Sequence, residues 1–101
     1  MFLVMNRFRI ARGQEDAFVA HWRQRTSYLH EVEGFVDFHL LRGESNEEFT
    51  LFASHTIWKD EAAFAAWTHS EAFRKAHMAA AQTPRSFYVG PPQLEIFESV
   101  L

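Results

Sequence analysis

Phe35–Trp58 reads FVDFHLLRGESNEEFTLFASHTIW. Two runs rich in aromatic and β-branched residues, Phe35 to Arg42 and Phe49 to Trp58, flank a polar turn, Gly43-Glu44-Ser45-Asn46-Glu47-Glu48. That pattern predicts an antiparallel hairpin. Strict alternation puts Phe35 and Leu41 on one side of the first strand and Phe38 and Leu40 on the other; Leu51 and Ile57 likewise oppose Phe52 and Trp58. Both faces of the hairpin are therefore bulky and apolar. One can be covered by helices of the same chain, and the other calls for a second copy of it, so a homodimer is expected.

Upstream, residues 2–10 alternate with period two. Phe2, Val4, Asn6, Phe8 and Ile10 share one face, and Leu3, Met5, Arg7 and Arg9 the other. Asn6 thus lies on an apolar face, where an amide without hydrogen-bond partners costs about 1–3 kcal/mol. It is either tied to neighbouring backbone or aimed into a pocket. Gly13 ends this strand, and Glu15 and Asp16 suit a helix N-terminus. Phe18, Trp22, Arg25, Leu29 and Val32 then recur at helical spacing until Gly34. Arg25 interrupts the stripe, as a snorkelling side chain or as a ligand contact.

Downstream, FAAWTHSEAFRKAH (Phe64–His77) joins two helical pieces at Thr68-His69-Ser70. Asp60 and Glu61 open the first, and Ser70-Glu71 opens the second, which runs to Gln82-Thr83-Pro84. Phe73, His77 and Ala81 share a face at i, i+4 and i+8. An imidazole between aromatic and methyl groups, with Trp67 nearby, suits an axial ligand above a flat hydrophobic cofactor, and equally a boundary histidine of the core. The segment Ser86 to Val89 reads as loop, and a last strand is expected around Leu94 to Val100. The order strand, helix, strand, strand, broken helix, strand is the split βαβ of a ferredoxin-like α+β fold, with residues 1–101 as one domain.

Composition bounds the chemistry. A formal charge of −3 and no Lys/Arg run offer no footprint for a nucleic acid backbone. With no cysteine, disulfides, thiolate nucleophiles and Cys-ligated metals are excluded. The start MFLVMNRFRI is too interrupted for a signal sequence, and no apolar run is long enough to cross a membrane, so a cytoplasmic protein is expected. Eleven Phe and three Trp exceed what a 101-residue core needs and point to a further buried surface, a pocket or a subunit interface. A zinc hydrolase is disfavoured because His69 and His77 have no third ligand in an H-E-x-x-H pattern.

Three features align at this point: the Asn within MNRF, the block HTIWKDEAAFAAW, and the block SEAFRKAH, with Glu33-Gly34-Phe35 and the strand FHLLR between them. With these the chain resembles, end to end, the antibiotic biosynthesis monooxygenase superfamily, and more closely its haem-degrading branch of non-canonical, dimeric haem oxygenases. The W-x2-S-x2-F-x3-H spacing from Trp67 to His77 is the most specific part of the likeness.

The resemblance implies a dimeric α+β barrel and a haem that is both cofactor and substrate, consumed with dioxygen and an external electron donor or reductase. It further implies that His77 ligates the iron, that Asn6 donates an amide N–H on the pocket side, and that Trp67 presses its indole on the macrocycle, with Phe73 lining the site. Arg25 falls where some relatives meet the haem propionates, with Arg23 a competing match. Two alternatives stay open: a cofactor-free monooxygenase acting on a polycyclic aromatic substrate, and a non-catalytic haem-binding module.

Overall fold

A computed structural model describes residues 1–24 and 29–101. The order is β1 (Phe2–Ala11), α1 (Glu15–Gln24), a 3-10 turn (Leu29–Glu31), β2 (Phe35–Ser45), β3 (Phe49–Trp58), α2 (Glu61–Thr68), α3 (Glu71–Ala80), a 3-10 turn (Arg85–Phe87) and β4 (Gln93–Glu98). The strands form one antiparallel sheet in the order β2-β3-β1-β4. This is the expected α+β ferredoxin-like arrangement, with the second helix broken into α2 and α3.

Helices cover one face of the sheet, where two hydrophobic clusters lie side by side. Under α1, Phe8, Ile10, Phe52 and Phe87 surround Phe18; under α2, Phe2, Val4 and Trp58 meet Phe64 and Trp67. The opposite face carries the odd-numbered residues of β1 and β3, including Leu3, Met5, Ala53 and Ile57, and no helix packs on it among the described residues.

Several details differ from the sequence expectation. Phe35 packs on Trp58, with ring centroids 5.7 Å apart, on the helix side and not with Leu41. An irregularity between Phe35 and Asp37 inserts Val36 into β2, and one extra residue reverses the facing of everything before it. The helix expected to run to Gly34 is described as far as Gln24, and Leu29–Glu31 form a 3-10 turn closed by Val32 N–H donating to the Leu29 carbonyl at 3.0 Å. Leu29 and Val32 still enter the cluster around Trp58, because i, i+3 spacing serves a 3-10 turn as well as an α-helix. β2 runs on to Ser45, and the turn shrinks to the residues where Asn46 Oδ1 accepts from the N–H groups of Glu48 and Phe49, each at 2.8 Å. The segment expected as plain loop after Pro84 buries Phe87 and bridges Tyr88 to Ile10, and β4 ends at Glu98.

Gly34 holds φ at 85° with its Cα against Ala63 of α2, so a Cβ there would collide with the Ala63 side chain. That close approach fixes α2 over the start of β2.

Glu15 does more than favour a helix start. Its buried carboxylate accepts from Gly13 N–H at 2.7 Å and from the Thr50 hydroxyl at 2.8 Å, tying α1 to β3. Since Thr50 donates to Glu15, it accepts from Ser45 at 2.8 Å, so the relay reaches the end of β2. Hydrogen bonds from its own N–H, then from Thr50, hold the Glu15 pKa below 4.5. A depressed carboxylate pKa stabilises the fold above its unfolded value, and that contribution disappears as pH falls through the folded value. We therefore expect Glu15→Gln to unfold at lower denaturant than the parent at neutral pH, with the gap closing as pH drops below 4.5. Urea melts across that range check it.

Candidate functional site

Asp60 caps α2 by accepting from Ala63 N–H at 2.8 Å. The helix ends where Ser70 intervenes: its hydroxyl donates to the Trp67 carbonyl at 2.6 Å and accepts from Phe73 N–H at 3.1 Å. One side chain thus closes α2 and caps α3, and this turn sets the spacing that brings Trp67, Phe73 and His77 together. Trp67 stands 5.3 Å from the fully buried Trp58 and meets Phe73 edge-on at 4.7 Å and 87°. Phe73 in turn lies 3.9 Å from the His77 ring. The principal contact of α3 is with α2 and not with the sheet.

His77 itself is exposed. Its Nδ1 lies 3.1 Å from the Phe73 carbonyl, which can only accept, so Nδ1 carries the proton. In the neutral ring the lone pair is then on Nε2, free for a metal; a backbone carbonyl on the other nitrogen is the usual way a histidine ligand is oriented. The ring borders an open, mostly apolar depression of about 620 Å³ with Phe73, Arg74, Met78 and Ala81. Arg74 at the rim is ion-paired to Glu71, and that hydrogen bond holds the Glu71 pKa below its ordinary value.

Asn6 lies apart from this ladder, on the helix-facing side of β1 between Val4 and Phe8, where the two hydrophobic clusters meet. Its Oδ1 is buried and has no hydrogen-bond partner among the described residues. Two other buried polar atoms share that condition, but Trp58 Nε1 is sealed inside the core and His55 Nδ1 belongs to the opposite face of the sheet. Asn6 alone of the three sits at a seam. The backbone-tied alternative for its amide oxygen is therefore not realised.

The structure joins Trp67, Phe73 and His77 by ring contacts, but only Phe73 and His77 line the depression; Trp67 and Asn6 both lie outside its lining. Arg25 lies outside the described residues, and Arg23 is exposed in the last turn of α1. Sequence reasoning placed Ser70 at the start of the second helical piece, as the structure has it, but did not show that the same hydroxyl also closes α2 by donating to the Trp67 carbonyl.

A four-stranded antiparallel sheet with helices on one face defines the ferredoxin-like class of α+β proteins. Within it, the family model for antibiotic biosynthesis monooxygenases matches residues 1–79, and the chain belongs to that family. A heme-degrading monooxygenase of Shouchella clausii is 28% identical over 98 residues, which span 97% of this chain and 89% of the relative. A second heme-degrading monooxygenase, from Halalkalibacterium halodurans, is 29% identical over 77 residues, or 76% of this chain and 66% of the relative. Among solved structures, a candidate antibiotic biosynthesis monooxygenase of Bacillus cereus superposes with a TM-score of 0.76 at 20% identity, covering 96% of this chain and 89% of that one. SnoaB, a cofactor-independent oxygenase of Streptomyces nogalater, superposes with a TM-score of 0.67 at 19% identity, covering 97% and 91%. At these identities the structural likeness concerns the fold alone.

The ring ladder separates two kinds of residue. Trp67→Ala removes a half-buried indole from the cluster around Trp58 and is expected to cost about 3 kcal/mol, the lower end for such truncations. His77→Ala, on an exposed helix position, should change stability by less than about 0.5 kcal/mol. Denaturant melts of the two variants check this contrast.

Proposed function

We propose that this protein is a haem-degrading monooxygenase, and that Asn6, Trp67 and His77 carry its site. The observation that supports the reading best is the state of His77: Nδ1 is held by the Phe73 carbonyl, Nε2 has no protein partner among the described residues, and the ring borders an open, mostly apolar depression. A histidine with one nitrogen oriented and the other free, on apolar surroundings, fits haem iron. The buried, unpartnered oxygen of Asn6 fits a polar contact supplied by a ligand. Both relatives named above as heme-degrading monooxygenases favour the same substrate.

When bound, haem supplies iron that activates dioxygen with electrons from an external donor or reductase, and its own porphyrin ring is the carbon framework that is oxidised and opened, releasing iron. The chain's part is to bind and orient. His77 holds the iron through Nε2. Trp67 and Phe73 offer ring surface to the macrocycle, and Trp67 is stiffened for this by Trp58 behind it. Asn6 does not titrate, so it contributes a fixed dipole and hydrogen bond, not acid or base chemistry. No paired carboxylates or activated nucleophile enter this scheme.

We further propose that residues 1–101 act as one unit within a cytoplasmic homodimer, the two sheets packing through their uncovered faces into an α+β barrel. Leu41 is 42% exposed and Phe97 50% exposed on that face, beside Leu3, Met5 and Ile57. Covering this surface with its own copy removes it from water in both chains at once. Leu41→Glu is expected to yield monomers where the parent scatters light as a dimer.

Hemin titration of the purified protein tests the function. A Soret band saturating at one haem per chain, followed by decay of the band when a reductant is added in air, is the expected result. His77→Ala should lose the ordered Soret band, whereas Asn6→Ala should keep binding but degrade haem some hundredfold or more slowly, as loss of one oriented donor does. A parent protein that ignores hemin overturns the proposal.

A further inference from the structure

On the helix-facing side, one line of register crosses all four strands: Leu40 on β2 pairs with Ser54 on β3, Ser54 with Asn6 on β1, and Asn6 with Leu94 on β4. At about 4.8 Å between strands this row is roughly 14 Å long. It has a hydroxyl and an amide in the middle and a leucine at each end. The hydrophobic clusters close on either side of it: Phe52 and Phe8 belong to one, Val4 and Trp58 to the other. At the β4 end Leu94 is 62% exposed and its neighbour on the same face, Ile96, 48% exposed, so the helices leave this part of the sheet uncovered.

Ser54 has no packing reason to be there. Serine is neither β-branched nor aromatic, the types that fit a central strand best, and apart from Asn6 its cross-strand row is apolar. The next hydroxyl along the same face, Thr56, is committed to the Val4 carbonyl at 3.1 Å. The Ser54 hydroxyl makes no hydrogen bond to another described residue, and the Asn6 amide oxygen on the strand directly across from it is buried and unpaired. A half-buried hydroxyl beside a buried amide oxygen, neither bonded to another described side chain and both flanked by leucines, matches a flat, largely apolar ligand that brings a polar group to the middle of the row.

We propose that Ser54 is a second polar contact of the site, its hydroxyl meeting the ligand beside the Asn6 amide from the sheet side. This rests on the haem reading and deepens it by adding a residue that the Asn, Trp and His pattern does not contain. A hydroxyl can both donate and accept, so Ser54 adapts to what Asn6 presents, and Thr at this position would retain the function while Ala would not.

The test compares the parent, Ser54→Ala, Ser54→Thr and Asn6→Ala by hemin titration and by the carbon monoxide stretching frequency of the reduced haem complexes. That frequency falls when a donor lies near the bound gas, and it requires no turnover. Ser54→Ala is expected to raise it in the same direction as Asn6→Ala, with hemin affinity weakened no more than about tenfold, while Ser54→Thr stays at the parent value. Thermal melts of haem-free Ser54→Ala and Ser54→Thr should coincide with the parent's, separating a contact from a packing effect. An unchanged frequency in Ser54→Ala alongside a shifted one in Asn6→Ala overturns the role of Ser54 and leaves the haem reading intact. A parent that gives no Soret band at all overturns the haem reading, and the Ser54 contact with it.

Discussion

Trp58 is the constraint on which the rest of this structure depends. It closes β3, is completely buried, and pairs in register with Phe2 of β1 and Phe35 of β2, so three strands meet at one indole. On its other side it touches Phe64 and Trp67, with ring centroids at 5.7 and 5.3 Å. Aromatic pairs at such distances add modestly to the burial of their area, and their geometry orients what they join. Here they set α2 on the sheet, and α3 with Phe73 and His77 is then hung from α2.

The consequence is a short mechanical chain. Trp58 positions Trp67, Trp67 positions Phe73, and Phe73 holds His77 twice, by ring contact and through its carbonyl. Because α3 leans on α2 and not on the sheet, the imidazole is held by Phe73 while the residue remains exposed. In the proposed role the arrangement would reconcile two demands: a ligating histidine has to be exposed enough to reach a cofactor, yet rigid enough to hold one geometry.

The sheet contributes through what it leaves unsatisfied. A continuous apolar face from Phe2 to Ile10 would merge the two hydrophobic clusters into one core. Asn6 and Ser54 interrupt it on adjacent strands, and the orphaned amide oxygen is a standing cost to the free chain. Sites of this kind, where local stability is given up, are where function is expected to lie. Glu15 shows the contrasting case: its carboxylate is buried but engaged with Thr50 and Gly13, and it joins α1 to the sheet.

Period-two alternation in β1 and β3, helical spacing around Phe18 and Phe73, and the turn and capping residues between them were enough to determine the α+β class, the order of elements and the placing of Asn6 on the apolar face. These are local signals, carried by neighbours in the chain. What they could not express was anything decided by distant partners. Phe35 changed sides because one inserted residue in β2 suited Trp58, 3-10 geometry replaced helix at Leu29–Glu31 with the same apolar spacing, and Phe87 became core because its segment bridges to Ile10. The line Leu40, Ser54, Asn6, Leu94 draws one residue from each strand, and only strand order and register bring those four positions together.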